Sequence, residues 1–406
     1  RFFGRAPVGP VPASERQSTL GEDWSGARGL AEDVRRYGLW LRDQAVKRIG
    51  NFYPEILVTE AMAKDRSDLR PLVGTRLTVI AYLWARTVRS PNPVYSHVDV
   101  PLASTFMLST KAGKEAWIEP VVSGDQYDFV VRVSDGHSRP PDSAKDGTKL
   151  ARGANFRCVL SNSPIEQSHI RGEFVAKRAG CRLMAVAADG PRGRIYLNPT
   201  PEMESLAKSA QPKWRPDQAM ETRSKDLISG RGYGFTHWHE LFTSRQRVAL
   251  STFFDLIDEV RDVVRNDAVR AGMSDDQLGL EGGGDQATAY AEAVALYLTF
   301  AVSRAADYGS TIATWRPKDN AMRSGLAKQA IPMTWDYAEG NPFGKSSSGI
   351  AECAQVVSRV VNVSLAPSRS VPGRVTQRNA AGPIPDEWAR WPVISTDPPY
   401  YDNISY

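Results

Sequence analysis

The chain has 406 residues, of which 41% are hydrophobic and 24% charged, with a formal net charge of +5. This composition excludes a wholly disordered protein, and the length favours about two or three domains over one compact core. The positive charge is compatible with a polyanionic partner but does not require one.

The cysteines and the apolar stretches limit the cellular setting. The three cysteines, Cys158, Cys181 and Cys353, share no C-x-x-C spacing, which argues against a disulfide framework and favours a reducing cytoplasm. The most apolar stretch, Ala293 to Val302, has about half the length of a membrane span. We therefore expect a cytoplasmic protein without a membrane partner. Because residue 1 is Arg and the last residue falls inside a motif, we expect an internal fragment of a longer protein.

The first two predicted segments differ in their period. Residues 1–70 begin with a loop rich in Pro, Gly and Ser, followed by an amphipathic helix from Gly29 to Ile49. Residues 71–210 contain β-branched and aromatic runs separated by Pro, Gly, Asn and Ser, which predict a β-rich region. Within it, RLMAVAADGPRGRIYLNP places two apolar runs around a Gly-Pro-Arg-Gly turn and predicts a hairpin.

The third segment, residues 211–345, is predicted to be mainly helical. One apolar stripe follows Thr243, with Thr243 or Ser244 as N-cap, and a second long helix is expected from Gln286 to Asp307. Residues 346–406 then predict a helix, the short strands GRVTQ and PVIST, and an acidic turn. A helix followed by strands with polar carboxyl ends is how an open α/β sheet presents a ligand site.

Some motif-like stretches carry little weight. GNPFGKSS has three residues between Gly340 and Gly344 where a phosphate loop needs four, and no strand is expected before it, so nucleotide triphosphate binding is rejected. His237 and His239 could share one face of a strand as metal ligands, but no third ligand is suggested nearby.

The run RSKDLISGRGYGFTHW interleaves cations with aromatic rings, as a nucleic-acid surface does. A solvated loop whose rings pack against the next helix is slightly favoured.

The end of the chain, TDPPYYDNISY, is the most specific stretch. Pro398 and Pro399 fix two backbone φ angles and donate no N–H, so nearby carbonyls stay available as acceptors, and Asp397 adds carboxylate oxygens. Such a cluster is complementary to an exocyclic NH2 group, and Tyr400 can stack on a flat heterocycle. The arrangement predicts a site for a nucleobase rotated out of the duplex.

This motif resembles the catalytic motif of amino-methyltransferases that use S-adenosylmethionine, in particular those acting on adenine N6. Together with PMTWDYAEGNPF, AYLWARTVRSPNP, GLAEDVRRYGLWLRDQA and LFTSRQRVALSTFFDL, it resembles the adenine-specific DNA methylases said to contain a zinc ribbon, over nearly the whole chain. In that family the N-terminal segment is catalogued as a domain of unknown function.

The resemblance implies a fold and a site. The fold class is α/β: a partial Rossmann-like methyltransferase core with a β-rich, degenerate zinc-ribbon-like insertion and a helical region. Asp397 and the Pro398 carbonyl would hold the adenine amino group beside Pro399, and Tyr400 would stack on the base. Asn379 occupies the place of an acid near the cofactor's adenine. The partners implied are double-stranded DNA with a flipped adenine and other restriction or phage-defence proteins.

Two departures from the family pattern bear on cofactors. Ser90 stands at a ribbon position, and Cys158 has Ser161 where a second thiol is expected, so we expect the region to fold without zinc. The Gly-rich motif that grips S-adenosylmethionine is absent and is expected upstream of residue 1. Two alternatives remain: a non-catalytic DNA-binding or assembly protein with a decayed core, and methylation of another amino group such as cytosine N4 or a side-chain amide.

Overall fold

The computed structural model describes residues 1–11, 23–135, 138–151, 153–220, 228–327, 330–364, 379 and 381–383. Over these residues the chain is a mixed α/β protein with eight α-helices and several antiparallel sheets. The helices are α1 (Arg28–Ile49), α2 (Glu60–Ala63), α3 (Ser143–Asp146), α4 (Gln167–Val175), α5 (Pro201–Lys208), α6 (Ser244–Arg270), α7 (Ala287–Tyr308) and α8 (Ile350–Ser364).

The strands are β1 (Ile56–Leu57), β2 (Arg76–Leu77), β3 (Val79–Arg89), β4 (Asp99–Leu102), β5 (Met107–Ser109), β6 (Ala116–Ser123), β7 (Gln126–Val133), β8 (Phe156–Arg157), β9 (Pro164–Ile165), β10 (Gly180–Gly190), β11 (Gly193–Leu197), β12 (Thr314–Arg316), β13 (Ala321–Arg323) and β14 (Asp336–Gly340). The central sheet has the order β11-β10-β3-β14, and β4 also pairs with β3. The predicted hairpin is confirmed, because β10 pairs with β11 up to the facing residues Gly190 and Gly193.

Strand β3 is buried on both faces, which explains its nearly continuous apolar sequence. Tyr82 and Trp84 belong to one core, which β10, β11 and the segment around β1 complete. Leu83 and Ala85 lie in a second core, formed with the sheet β5-β6-β7, where Trp117 is buried. The central sheet is therefore the middle layer of the β-rich part.

A helical layer is built from α1, α6, α7 and α8, whose apolar stripes share one core. The predicted helices around residues 29–49, after Thr243 and around 286–307 are all confirmed. Thr243 is the N-cap of α6: its hydroxyl accepts the Gln246 N–H, and the Gln246 side chain accepts the Thr243 N–H. This reciprocal cap explains why the helix begins where its sequence predicts.

Two predicted segments contribute to the same sheet. Strand β14 comes from the segment predicted to be mainly helical, and it pairs with β3 of the β-rich segment. The strands expected around Val375 and Val393 lie outside the described residues, so the partial Rossmann-like core stays a prediction. None of the helices in the described part of the chain is long and apolar enough to cross a membrane.

Candidate functional site

The predicted catalytic residues Asp397, Pro398, Pro399 and Tyr400 lie outside the described residues. Their roles therefore stay predictions.

Asn379, predicted to contact the cofactor, lies in an exposed turn. Its Oδ1 accepts the N–H of Ala381 at 3.0 Å, and its backbone oxygen accepts the N–H of Gly382 at 3.0 Å. Asparagine commonly closes such a turn with its own side chain. Asn379 is the only described residue assigned to S-adenosylmethionine, and a single exposed amide does not enclose a ligand.

The segment that contains GKSS lies between β14 and α8. The expectation that no strand precedes it is wrong. Glu339 and Gly340 break the apolar pattern, yet both belong to β14, because the Glu339 carboxylate is buried against the Arg245 guanidinium. Because the charge of Glu339 is neutralised by a residue far away in the sequence, local hydrophobicity does not predict this strand.

The loop itself uses its N–H groups internally. The N–H groups of Gly344, Ser346 and Gly349 donate to loop carbonyls, and that of Ile350 donates to Pro342. A Cβ on Gly349 would lie 2.1 Å from the Gly344 carbonyl oxygen, so this close approach needs glycine. A phosphate loop instead directs unpaired N–H groups at its ligand. In this loop those N–H groups are already bonded to carbonyls, so they are not available to hold a phosphate.

Three positions that the resemblance assigns to the zinc ribbon lie together. Ser90 follows β3, and its Oγ is 3.3 Å from the Sγ of Cys158, in the turn between β8 and β9. Burial raises the pKa of the Cys158 thiol, whereas hydrogen bonds with Ser161 and Ser90 lower it. Together the hydrogen bonds outweigh the burial, and the pKa of the thiol lies below its usual value. Two hydroxyls around one thiol do not make a set of nitrogen and sulfur ligands for Zn²⁺.

The two histidines singled out as candidate ligands have protein partners. Their ring centroids are 5.5 Å apart. His239 Nδ1 contacts the Pro216 carbonyl oxygen at 2.8 Å, and His237 Nδ1 contacts the Thr236 hydroxyl at 2.8 Å. Within the described ranges, no group of three or more His, Cys, Asp or Glu side chains is arranged to hold a metal ion.

The aromatic part of the cation-rich run is largely internal. Tyr233 is buried, with its ring centroid 5.0 Å from that of Trp335. Tyr233 and Phe235 both pack against Phe174 of α4, so the rings contact the preceding helix α4 rather than the following one. Residues 221–227, which include part of this run, lie outside the described residues.

A surface groove of about 430 Å³ lies between β4, the β6–β7 turn, β10 and α5. Arg182 crosses it, with its guanidinium 4.3 Å from the centroid of the Tyr127 ring and 3.0 Å from the Asp128 carboxylate. Lys208 pairs with Glu204 at 2.5 Å. Burial raises the pKa of Tyr127 to about 12, so this phenol stays neutral.

The polar groups of the groove are mostly paired with one another. Its Arg and Lys cations are paired with carboxylates, and His97 Nε2 lies 3.0 Å from the Asp125 carboxylate. Neither the Tyr127 hydroxyl, which donates to the Asp99 carbonyl, nor the Cys181 thiol contacts this histidine in a way that would activate a nucleophile. Nothing in the sequence predicts this groove, because its residues come from elements far apart in the chain and match no motif.

Comparison with protein-family models, with curated proteins and with solved structures finds no match to this chain. The family resemblance therefore rests on the sequence motifs and stays a prediction.

Proposed function

We propose that this chain belongs to a DNA methyltransferase that transfers a methyl group from S-adenosylmethionine to adenine N6, in a restriction-modification or phage-defence setting. The observation that carries the proposal is the stretch TDPPYYDNISY, which is separated from the apolar run Pro392 to Ile394 by Ser395 alone. An acid, two prolines and an aromatic residue in this order combine two fixed acceptors with a stacking surface.

In this proposal the chain's own residues position the base. Asp397 and the Pro398 carbonyl accept the two hydrogens of the adenine amino group, which draws the nitrogen lone pair out of conjugation with the ring. Tyr400 stacks on the base, a contact that contributes about 1–3 kcal/mol. The cofactor, when bound, supplies the methyl group. Catalysis then consists of positioning and electrostatics without a covalent enzyme intermediate.

The described residues add support from a different region. Ser90 and Cys158 are 68 positions apart in the sequence, yet their side chains are in contact. The family would place metal-binding thiols at such positions, and here the contact persists with hydroxyls in place of the partner thiols. This supports a shared architecture in the β-rich region, independently of the catalytic motif.

The test maps modified bases in DNA from cells that express the full-length gene, in a host without adenine methylation of its own. We expect N6-methyladenine at a defined sequence, and its complete loss with Asp397→Ala. Tyr400→Ala should slow transfer by roughly ten- to a hundredfold, in line with the lost stacking. Asp43→Asn, at an exposed carboxylate on α1, is the matched control and should leave modification unchanged.

Two outcomes would contradict the proposal. Modification at normal levels in the Asp397→Ala strain would exclude the motif as the catalytic site. N4-methylcytosine in place of N6-methyladenine would move the enzyme to the other class of amino-methyltransferase.

A further inference from the structure

Two arginines near the start of α6 are close enough for their charges to interact. Arg247 lies in the first turn of α6, and Arg215 lies in the loop that follows α5. That loop runs beside the segment leading into α6: Gln218 accepts the N–H of Trp238 at 3.2 Å, and Met220 donates to Thr236 at 2.8 Å. Burial, and then the positive charge of Arg215, lower the pKa of Arg247.

The same turn of α6 carries two donors without acceptors. The Nε of Arg247 is buried and has no hydrogen-bond partner among the described residues, while its Nη2 donates to the Ser244 hydroxyl at 3.2 Å. Gln246 is 3% exposed; its Oε1 caps the helix, and its Nε2 also lacks an acceptor in the described part. A buried donor without an acceptor costs about 1–3 kcal/mol, so the first turn of α6 has hydrogen-bonding capacity that the described residues do not use.

An exposed ring lies in the same loop. Trp214 is 60% exposed between Lys213 and Arg215, which are both exposed. Across the described ranges, none of Lys213, Arg215 and Arg247 forms an ion pair with a carboxylate, including the exposed Asp217 nearby. Two cations thus flank an open tryptophan, and one of them, Arg215, is close enough to Arg247 in the first turn of α6 for their charges to interact.

We propose that Lys213, Arg215 and Arg247 bind the phosphodiester backbone of DNA, with the Trp214 ring stacked on an accessible base. Guanidinium groups match phosphate oxygens in geometry and charge, and an exposed indole gives a base a surface independent of sequence. An acidic peptide or free phosphate would use the cations but not the flat ring. The inference rests on the proposed function only for the choice of DNA as the polyanion.

The test measures binding of the 406-residue chain to a labelled short duplex and to the labelled single strand, by fluorescence anisotropy over a range of salt concentrations. Arg215→Gln/Arg247→Gln should weaken duplex binding about tenfold or more and reduce the slope of log K against log salt by about 1.8, or 0.9 per lost phosphate contact. Trp214→Ala should weaken single-strand binding more than duplex binding.

The matched control is Arg42→Gln/Arg132→Gln. It removes the same charge from two partly exposed arginines, on α1 and β7, that are each paired with an acid. This variant should change duplex affinity less than twofold. Arg215→Gln alone alters only an exposed side chain, so it keeps the fold. It should reduce the slope of log K against log salt by about half as much as the double variant does.

Three results would overturn the inference. The first is a double variant that binds duplex with the affinity and salt slope of the control. The second is displacement of DNA by polyglutamate as effectively as by unlabelled DNA, which would indicate an acidic protein partner. The third is displacement by millimolar inorganic phosphate with no effect of Trp214→Ala, which would indicate a small-anion site. Because only binding is measured, the inference and the proposed methyl transfer can fail separately.

Discussion

Arg245 and Glu339, whose side chains are each 1% exposed, form a two-point ion pair that joins α6 to the central sheet. Arg245 Nε and Nη2 each lie 3.0 Å from a different Glu339 oxygen. The other hydrogen-bonding groups of the pair also have partners. Glu339 accepts a hydrogen bond from the Thr243 hydroxyl, and Arg245 donates one to the Phe52 carbonyl. The Arg245 guanidinium also lies 4.1 Å from the centroid of the Tyr82 ring. The helical layer and the sheet are therefore connected through one fully satisfied polar cluster.

Glu339→Gln should strongly destabilise the protein. The substitution leaves the Arg245 charge buried without a counter-ion, and breaking one side of a buried pair costs about 3–5 kcal/mol. Urea unfolding should show the loss. Glu119→Gln, in the exposed pair with Arg132, is the control and should cost less than about 1 kcal/mol. Equal effects of the two substitutions would show that burial of the Arg245–Glu339 pair contributes nothing.

The same ion pair shows where sequence reasoning succeeds and where it fails. Helices α6 and α7 are predictable because their apolar residues recur at helical spacing, and Thr243 supplies the cap. Strand β14 is missed because Glu339 interrupts a run of only five residues, and the charge that makes its burial possible lies 94 positions away. Local periodicity contains no information about such a partner.

The candidate sites divide in the same way. The resemblance assigns Ser90 and Cys158 to ribbon positions, but their contact becomes visible only in the structure, since neither residue belongs to a complete metal-binding pattern. The cluster of Arg215 and Arg247 has no motif at all, because it depends on how the loop after α5 runs beside the start of α6. Contacts of this kind follow from tertiary packing.

Asp33 of α1 should make the stability of the fold depend on pH. Its carboxylate accepts the N–H groups of Val8 and Gly9 and the hydroxyl of Tyr290. Burial raises the pKa of Asp33 to about 6, and these hydrogen bonds only partly oppose that rise. Because the folded-state pKa exceeds the unfolded value, the stabilisation is complete below the unfolded pKa and is lost as the pH rises through about 6.

Asp33→Asn should therefore reduce the pH dependence of stability. Relative to the variant, the wild type should lose roughly 2–3 kcal/mol of unfolding free energy between about pH 4 and pH 7. Urea midpoints at the two pH values give the measurement. Asp43→Asn, an exposed change on the same helix, is the comparison. A gap between wild type and Asp33→Asn that stays constant with pH would contradict the assignment.

Helix α1 packs tightly against α8 at Gly38. A Cβ at this position would lie 2.3 Å from the Ala354 Cβ. Gly38→Ala should therefore lower the melting temperature, although alanine favours a helix over glycine by about 1 kcal/mol, because overpacking costs about 1–3 kcal/mol. Ala354→Gly in the same chain should restore part of the loss by removing the clashing methyl group. Additive losses in the double variant would show that the two positions do not touch.

The Ser90–Cys158 contact leads to two opposite expectations for metal binding. In the wild type the cluster offers one thiol, whereas a protein zinc site uses four ligands when structural and at least three when open to water. Purified protein should therefore contain no stoichiometric zinc, and a chelator should not change its melting temperature. One tightly held zinc per chain would mean that ligands other than Ser90, Cys158 and Ser161 complete a site.

The double substitution Ser90→Cys/Ser161→Cys should create a metal-binding site at this cluster. Ser90 and Ser161 each bond the Cys158 thiol, so three thiols would converge on one point, which is the smallest number of protein ligands that a zinc site uses. The variant should bind Co²⁺ with thiolate charge-transfer absorption, and added Zn²⁺ should raise its melting temperature, since a ligand that binds only the folded state stabilises it. Ser96→Cys/Ser161→Cys adds the same number of thiols, but the Ser96 hydroxyl bonds the Pro93 carbonyl instead of Cys158, so this control should show neither signal. If both double variants bind Co²⁺ equally, proximity to Cys158 is not what determines the site.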